Sequence, residues 1–150
     1  MSAPDDRQTL AYAGLLMDSY RRLTGRELIA GVSNASGLYE APFPVVSHAT
    51  QPDPIFCYAN LAAQKLFGYS WDEFLTIPSR LSAEPDERQA RQDMIERAQA
   101  VGYIDDYSGV RISKQGARFL ISDTTFWQVL DDHGILRGQA AVIHKWELLG

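Results

Sequence analysis

The chain of 150 residues holds a single cysteine, Cys57. One thiol excludes an intramolecular disulfide and any zinc site built on paired cysteines. Hydrophobic runs are short as well. The longest, Leu10 to Met17, is interrupted by Gly14 and falls far below the ~20 apolar residues that span a bilayer. It follows Asp5 and Asp6, where a secretory signal wants basic residues, and no small-residue cleavage site comes after it. A cytoplasmic location is the expectation. Basic charge is scarce, with 14 Lys and Arg against 19 Asp and Glu and a net charge of −5. The deficit is spread: −3 over residues 1–75 (5 bases, 8 acids) and −2 over residues 76–150 (9 bases, 11 acids). Neither half offers the basic patch that neutralises nucleic-acid phosphates, so direct nucleic-acid binding is not expected. His48, His133 and His144 lack the spacing of a zinc helix. There is no phosphate loop, internal repeat or low-complexity segment. What remains, 45% hydrophobic and 22% charged residues, suits one globular domain that needs no covalent or metal staple.

Residues 1–6 read as a frayed end. Arg7 to Leu23 has helical spacing, with Leu10, Ala13, Met17 and Tyr20 on one face. Leu15, Leu16 and Leu23 widen that stripe, and Gly25 stops the helix. The width has two explanations: the helix covers a sheet, or its spare side meets a second chain. Residues 1–25 are therefore set apart as an N-terminal amphipathic helix, and residues 26–150 as the main domain. Residues 26–54 are loop-rich, holding Gly31, Gly37 and four prolines, with a short strand at Val45–Thr50. Ile55–Ala59 is a second strand. Asn60 caps a helix over Leu61–Phe67 that Gly68 ends. Ser70 and Glu73 have capping-box spacing for another helical turn or two. Pro78-Ser79-Arg80 breaks the pattern. Pro85, with Glu84, Asp86 and Glu87, opens a longer helix with a buried face of Ala90, Met94, Ala98 and Val101, stopped by Gly102.

Tyr103–Ser113, Arg118–Leu130 and Ile135–Trp146 read as antiparallel strands joined by Gly-containing turns. The middle one is apolar on both faces. Phe119, Ile121, Thr125, Trp127 and Val129 alternate there with Leu120, Ser122, Thr124, Phe126 and Gln128. One face lines a core or pocket and the other is covered by the N-terminal helix or a partner; periodicity does not say which is which. The element order makes an α+β domain with one five-stranded antiparallel sheet and short connecting helices.

Pro54-Ile55-Phe56-Cys57-Tyr58-Ala59-Asn60 followed by Leu66-Phe67-Gly68-Tyr69-Ser70-Trp71-Asp72-Glu73 resembles the core of the PAS fold. Ser47-His48, Asp53-Pro54-Ile55, Tyr58-Ala59-Asn60, Pro78-Ser79-Arg80, Asp106 to Ile112 and Gly138-Gln139-Ala140-Ala141 are similar to the MEKHLA family, a PAS-related domain. These segments spread from about residue 10 to the end. The resemblance implies a PAS-like sensory or interaction module, without an established reaction, whose sheet curls round a small pocket. The PAS fold hosts haem, flavin, small acids or nothing, so it names no ligand.

In light-sensing PAS domains a reactive cysteine lies after the acidic short helix, followed by Arg. Ser79-Arg80 stands at the matching place, Cys57 lies in the wrong element, and Val142-Ile143 replaces the expected flavin-reading Gln. A flavin adduct is not expected, and no cofactor or metal is assigned. His133 sits in a turn and His144 ends a strand, which leaves His48 as the histidine of interest. Asp105-Asp106 point to opposite faces of a regular strand, and Asp131-Asp132 belong to a turn. Gly31 to Ala35 lacks the last glycine of a nucleophile elbow.

The polar set in the family-like segments is His48, Asn60, Ser79, Arg80, Tyr107 and Arg111, with Trp127 as an aromatic that either lines a pocket or serves core or interface. Arg80 and Arg111 can offer guanidinium forks to one carboxylate, either a ligand's or a buried Asp106. The bland account is an internal ion-pair network pinning loop to sheet. Asn60 has the bland role of helix cap. A non-catalytic module binding a small molecule or a protein partner, as a homodimer, is the expectation. The alternative is a small-pocket enzyme on a cone-shaped α+β fold of isomerase or dehydratase type. Element order separates the two, since such cones lead with helices and this chain places short helices between its second and third strands.

Overall fold

The computed structural model describes residues 4–84 and 87–150. Pro85 and Asp86, expected in the first turn of the long helix, lie outside the described residues, as do residues 1–3 of the expected frayed end. Helix α1 spans Arg7–Thr24 and α2 spans Ala35–Tyr39. Strands β1 (Val45–His48) and β2 (Phe56–Ala59) precede α3 (Leu61–Phe67) and α4 (Trp71–Phe74). A 3-10 turn, Ser79–Ser82, leads to α5 (Arg88–Val101). Strands β3 (Tyr103–Ile112), β4 (Arg118–Leu130) and β5 (Leu136–Leu148) complete the chain. The five strands form one antiparallel sheet in the order β2-β1-β5-β4-β3. The helices between β2 and β3 thus carry the chain from one sheet edge to the other, as the element order requires.

Punctuation in the sequence accounts for the helix ends. Asp6 accepts a hydrogen bond from the Thr9 amide and Gly25 closes α1 at φ 73°. Ser70 and Glu73 form both halves of the capping box of α4. Helix α2, inside the stretch expected to be loop, starts where Asn34 accepts from the Gly37 amide.

Each sheet face carries its own core. On the outer face α1 and α2 pack Ala13, Leu16, Tyr20 and Leu38 against Val45, Tyr58, Trp127, Val129 and Val142. On the inner face α3 and α4 pack Ala63, Phe67 and Phe74 against Phe56, Phe119, Ile121 and Ile143. Two expected helix faces are corrected. Helix α1 buries Ala13, Leu16, Ser19 and Tyr20 and exposes Leu10, while α5 buries Arg91, Met94, Ile95 and Ala98 and exposes Ala90 and Val101. In both, the true stripe is rotated by about one residue, because a run of adjacent apolar residues leaves its centre undefined.

The expected alternation along β4 is corrected too. Phe119 and Ile121 belong to the inner core, yet Trp127 and Val129, of the same parity, belong to the outer one. Asp123 stands between them at φ 46°, outside the extended region, and is absent from a pairing of β4 with β5 that keeps one register from Phe119 to Val129. The local twist exchanges the faces. In β2 Cys57 is the extra residue of a bulge, with Ser47 opposite Tyr58 and His48 opposite Phe56. Phe56 and Tyr58 consequently face opposite cores. Strand β3 is irregular at Asp106, φ 59°, so the expectation of a regular strand there fails. Asp105 is instead held by Arg26 at 2.9 Å and Thr125 at 2.8 Å.

Asn60, 0% exposed, ties these layers together. Its Oδ1 accepts from the amides of Val45 (2.9 Å) and Ala63 (3.1 Å), and its Nδ2 donates to the carbonyls of Leu38 (3.2 Å) and Phe43 (2.9 Å). The amide group is therefore saturated by the fold, which removes Asn60 from the candidate ligand contacts. Asn60→Ala leaves four buried backbone groups short of a partner, and a loss of about 3 kcal/mol or more is expected in urea denaturation. A loss under about 1 kcal/mol, the value of an exposed cap, would show that the four bonds do not act together.

Candidate functional site

Four polar side chains converge under the inner face of the sheet. Arg111 projects from β3, Arg91 from α5, Gln139 from β5 and His48 from β1, and all line a cavity of about 30 Å³. That volume admits two or three waters or a molecule of a few heavy atoms. Apart from Ser47 and Ser82, its remaining wall is apolar, with Phe56, Phe67, Ile121, Phe126 and Ile143 among its residues. His48, Arg91 and Gln139 also border a wider, polar cleft of about 330 Å³ bounded by Asp53, Arg80 and Gln92. The inner cavity thus adjoins a polar approach.

Arg111 is 3% exposed and Arg91 is 7% exposed. Arg111 donates to the Val110 carbonyl at 2.9 Å and to the Tyr107 hydroxyl at 3.3 Å, and its guanidinium lies 5.5 Å from the centre of the Tyr107 ring. Gly109 is what lets that ring cross the strand, since a side chain there would collide with the Tyr107 hydroxyl and ring. Arg91 donates to the Ser79 hydroxyl at 2.7 Å, and Ser79 is in turn fixed by its amide on the Pro54 carbonyl. Among the described residues neither arginine reaches a carboxylate within ion-pairing distance. Burial, and then the positive charge of Arg111, push the Arg91 guanidinium down to about 10, with the Tyr107 phenol opposing. Two buried like charges are costly unless an anion joins them.

Gln139 is 5% exposed, and neither its Oε1 nor its Nε2 has a hydrogen-bond partner. Buried side-chain amides are nearly always satisfied, so an amide with both ends free inside a cavity implies a missing partner. Its neighbour Gly138 has a local cause. A Cβ there would strike the His48 carbonyl and the Tyr12 hydroxyl, so only glycine lets β5 approach β1 and α1 so closely.

The expected residues divide cleanly. His48, Ser79, Tyr107 and Arg111 gather at or beside the cavity. Arg80 does not join Arg111. It turns outward to Asp53 at 3.1 Å, and both are about half exposed, a pair that contributes little to stability. The shared carboxylate expected between Arg80 and Arg111 is therefore corrected, and Arg80 stands at the rim of the outer cleft. Trp127, 0% exposed, is on the outer face with its ring edge-on to Tyr20, 5.0 Å away, because Asp123 exchanges the faces of β4. Nor does His144 end its strand; β5 continues to Leu148, and the imidazole meets the Asp123 carbonyl at 3.1 Å.

Arg91 and Gln139 are the residues the sequence reading missed. Arg91 had a signal: it is placed inside once the buried stripe of α5 is set on Met94, Ile95 and Ala98. Gln139 lies within the Gly138-Gln139-Ala140-Ala141 segment, where only the family-like wording marked it.

The His48 ring lies 2.9 Å from the Ala49 carbonyl through Nδ1. A carbonyl only accepts, so Nδ1 carries the proton and Nε2 is left as an acceptor. Burial lowers the imidazole pKa to about 4; the Ala49 carbonyl opposes this, and the Arg91 charge adds a smaller push in the same direction. The sign follows from linkage. Below the ordinary value of 6.5 the unfolded chain takes up a proton that the folded chain refuses until about pH 4, so stability present above 6.5 is lost as pH falls. The loss assigned to His48 by pH 4 is about 3 kcal/mol. Comparing wild type with His48→Asn by denaturation at pH 7.5 and 4.5 tests it, the variant losing distinctly less; equal losses would show that His48 is not held neutral.

The PAS domain of a protein from Colwellia psychrerythraea superposes with a TM-score of 0.62 at 16% identity, over 74% of this chain and 92% of its own. The fungal blue-light photoreceptor Vivid, as its light-state dimer, gives 0.64 at 18% identity, over 95% of this chain and 97% of that one. An RNA-binding light-oxygen-voltage receptor gives 0.58 at 20% identity, over 80% of this chain but 36% of its own. At such identities the likeness establishes the fold alone. No curated protein sequence matches significantly. A flavin, the group met in one similar light-oxygen-voltage domain studied with a flavin analogue, does not fit here. The cavity of about 30 Å³ is far too small for its rings, and Cys57 is turned toward Tyr12 and Ser47, its thiol pKa raised by burial. The MEKHLA domain profile matches residues 10–148, and the chain belongs to the MEKHLA family of PAS-related domains.

Proposed function

We propose that the chain is a non-catalytic sensory or interaction module that binds a small molecule between its inner sheet face and α5, and that signals through a protein partner. The observation that carries this reading is Gln139, whose amide is buried in the cavity wall with both ends unpaired. A core selected for stability alone fills such a position with an apolar side chain. Absence of catalytic geometry is part of the proposal. His48 spends its Nδ1 proton on a backbone carbonyl, and burial keeps the Cys57 thiol in its unreactive form. Among the described residues there is no cluster suited to a metal ion, and no helix is long and apolar enough to cross a membrane.

A homodimer and a cytoplasmic setting belong to the same proposal. Helix α1 spends most of its apolar face on the sheet, but Leu10 stays exposed, as do Trp146 and Leu148 at the end of β5. These provide the apolar surface for a second copy. Light scattering on the purified chain decides it; a monomer removes the dimer from the proposal.

The binding site is tested with Gln139→Leu and native mass spectrometry. Removing an unpaired amide leaves stability unchanged or raises it by about 1 kcal/mol, while small molecules carried by the wild-type protein are lost from the variant. A variant destabilised by more than about 1 kcal/mol, with no change in bound species, would mean that the amide has a purely structural partner.

A further inference from the structure

The geometry points to a monatomic anion, chloride, as an occupant of the inner cavity, seated among Arg91, Arg111 and the Gln139 amide with water beside it. This inference rests on the ligand-binding reading above and narrows its ligand to a single ion. Charge is the first ground. Two nearly buried guanidiniums line one cavity whose wall contains no acid. Arg111 gives one N–H to the Val110 carbonyl and one to the Tyr107 hydroxyl, and Arg91 gives one to Ser79; most of their donors find no acceptor among the described residues. Neutral water leaves the repulsion between two such charges in place, whereas an anion between them offsets it.

Room is the second ground. A cavity of about 30 Å³ takes two or three water-sized occupants. Gln139 has a donor at Nε2 and an acceptor at Oε1, both unpaired. An anion without protons satisfies only the donor, and Oε1 needs an O–H that water supplies. His48, neutral and with Nε2 free as an acceptor, borders the same space and makes the same demand. With one position given to water, too little remains for an oxyanion of three or more heavy atoms.

The rest of the wall is the third ground. Its two hydroxyls are already committed: Ser47 donates to the Gln139 carbonyl at 2.9 Å and Ser82 to the Ser79 carbonyl at 2.8 Å. Donors therefore come from Arg91, Arg111 and Gln139 alone, and the other lining residues are apolar. Leaving water for such a place costs a large, weakly hydrated halide less than it costs compact fluoride.

The test uses the full chain with sodium chloride, bromide, fluoride and formate at constant ionic strength, balanced with gluconate. Binding is read from chloride-35 NMR line broadening and its displacement by each competitor, and the position from the anomalous signal of bromide in crystals. Chloride is expected to broaden with the wild-type chain, bromide to displace it at similar concentration, and fluoride to need about tenfold more. Bromide is expected in the cavity between the two arginines. Arg111→Gln should weaken chloride about tenfold or more through the lost charge-assisted bonds. Arg91→Lys, which keeps the charge, should retain a weakened remnant; the anion series on the wild-type chain decides the matter even where neither variant folds. Formate bound more tightly than chloride overturns the single-atom reading, and bromide located away from the cavity overturns the site. No broadening with the wild-type chain means that the cavity holds water alone. In each of these failures a small molecule carried by the wild-type protein in native mass spectrometry and lost from Gln139→Leu leaves the ligand-binding reading standing; no bound species by either method removes both.

Discussion

A sheet covered on both faces has no place to hydrate a charge, and the whole arrangement follows from that constraint. Helix α1 covers one face and α3, α4 and α5 the other, so any polar side chain pointing out of a central strand must find a partner inside the protein. Most do. Asn60 makes four bonds, Ser47 accepts or donates to Tyr12 at 2.7 Å and donates to the Gln139 carbonyl at 2.9 Å, and Ser19 bridges the Gln128 carbonyl and the Leu130 amide. Single unpaired atoms remain at Tyr58 and Trp127 in the outer core and at Glu84, but among the described residues Gln139 alone has both ends of its side chain unpaired. It lies on the inner face beside the acid-free pair Arg91 and Arg111.

Three backbone irregularities decide what reaches that place. The bulge at Cys57 sends Phe56 to the inner face and Tyr58 to the outer one. The positive φ at Asp123 lets Phe119 and Ile121 share the inner face with Phe126, and puts Trp127 beside Tyr20. The irregular stretch from Asp106 to Gly109 lays Tyr107 along the strand, where its hydroxyl and ring hold Arg111. A perfectly alternating sheet with this sequence has a different inner surface. The bulges are therefore part of how the cavity is built, in keeping with their usual concentration next to binding sites.

This explains how far the sequence could be read. Whatever depends on a few adjacent residues was legible: the caps at Asn60 and Ser70, the stops at Gly25, Gly68 and Gly102, the bounds of β4, and hence the α+β order of elements. The wording around Asp106 to Ile112 and Gly138 to Ala141 was legible as family likeness, and both segments carry cavity residues, Arg111 and Gln139. What was not legible depends on long-range register. Arg80 and Arg111 looked like a pair because they share a residue type and a family-like setting, but the 3-10 turn rotates Arg80 outward to Asp53 and Ser79 inward to Arg91. Arg91 was hidden because a buried arginine contradicts the expectation that charged positions mark the solvated side of a helix. Trp127 was grouped with Phe119 and Ile121 by strict alternation, and although aspartate is one of the few residues that adopt the αL conformation, nothing in the sequence marks Asp123 as doing so.

Likeness to light-sensing domains then separates scaffold from site. The chain superposes over nearly the full length of Vivid, so the scaffold is common to both. What lies under the sheet is set by side chains, and here large aromatic rings from β2, α3 and β4 crowd it: Phe67 lies 5.1 Å from Phe119 and Phe56 lies 5.1 Å from Phe74, edge to face. On the proposed reading, a cavity of about 30 Å³ with two arginines in its wall selects its ligand by charge. Binding energy then comes from charge and hydrogen bonds rather than from stacked area, because there is little apolar surface left to bury. Arg91, which donates to Ser79 and lines the cavity, is carried by α5. On the proposed ligand-binding reading, α5 is the element that passes occupancy of the cavity to the surface.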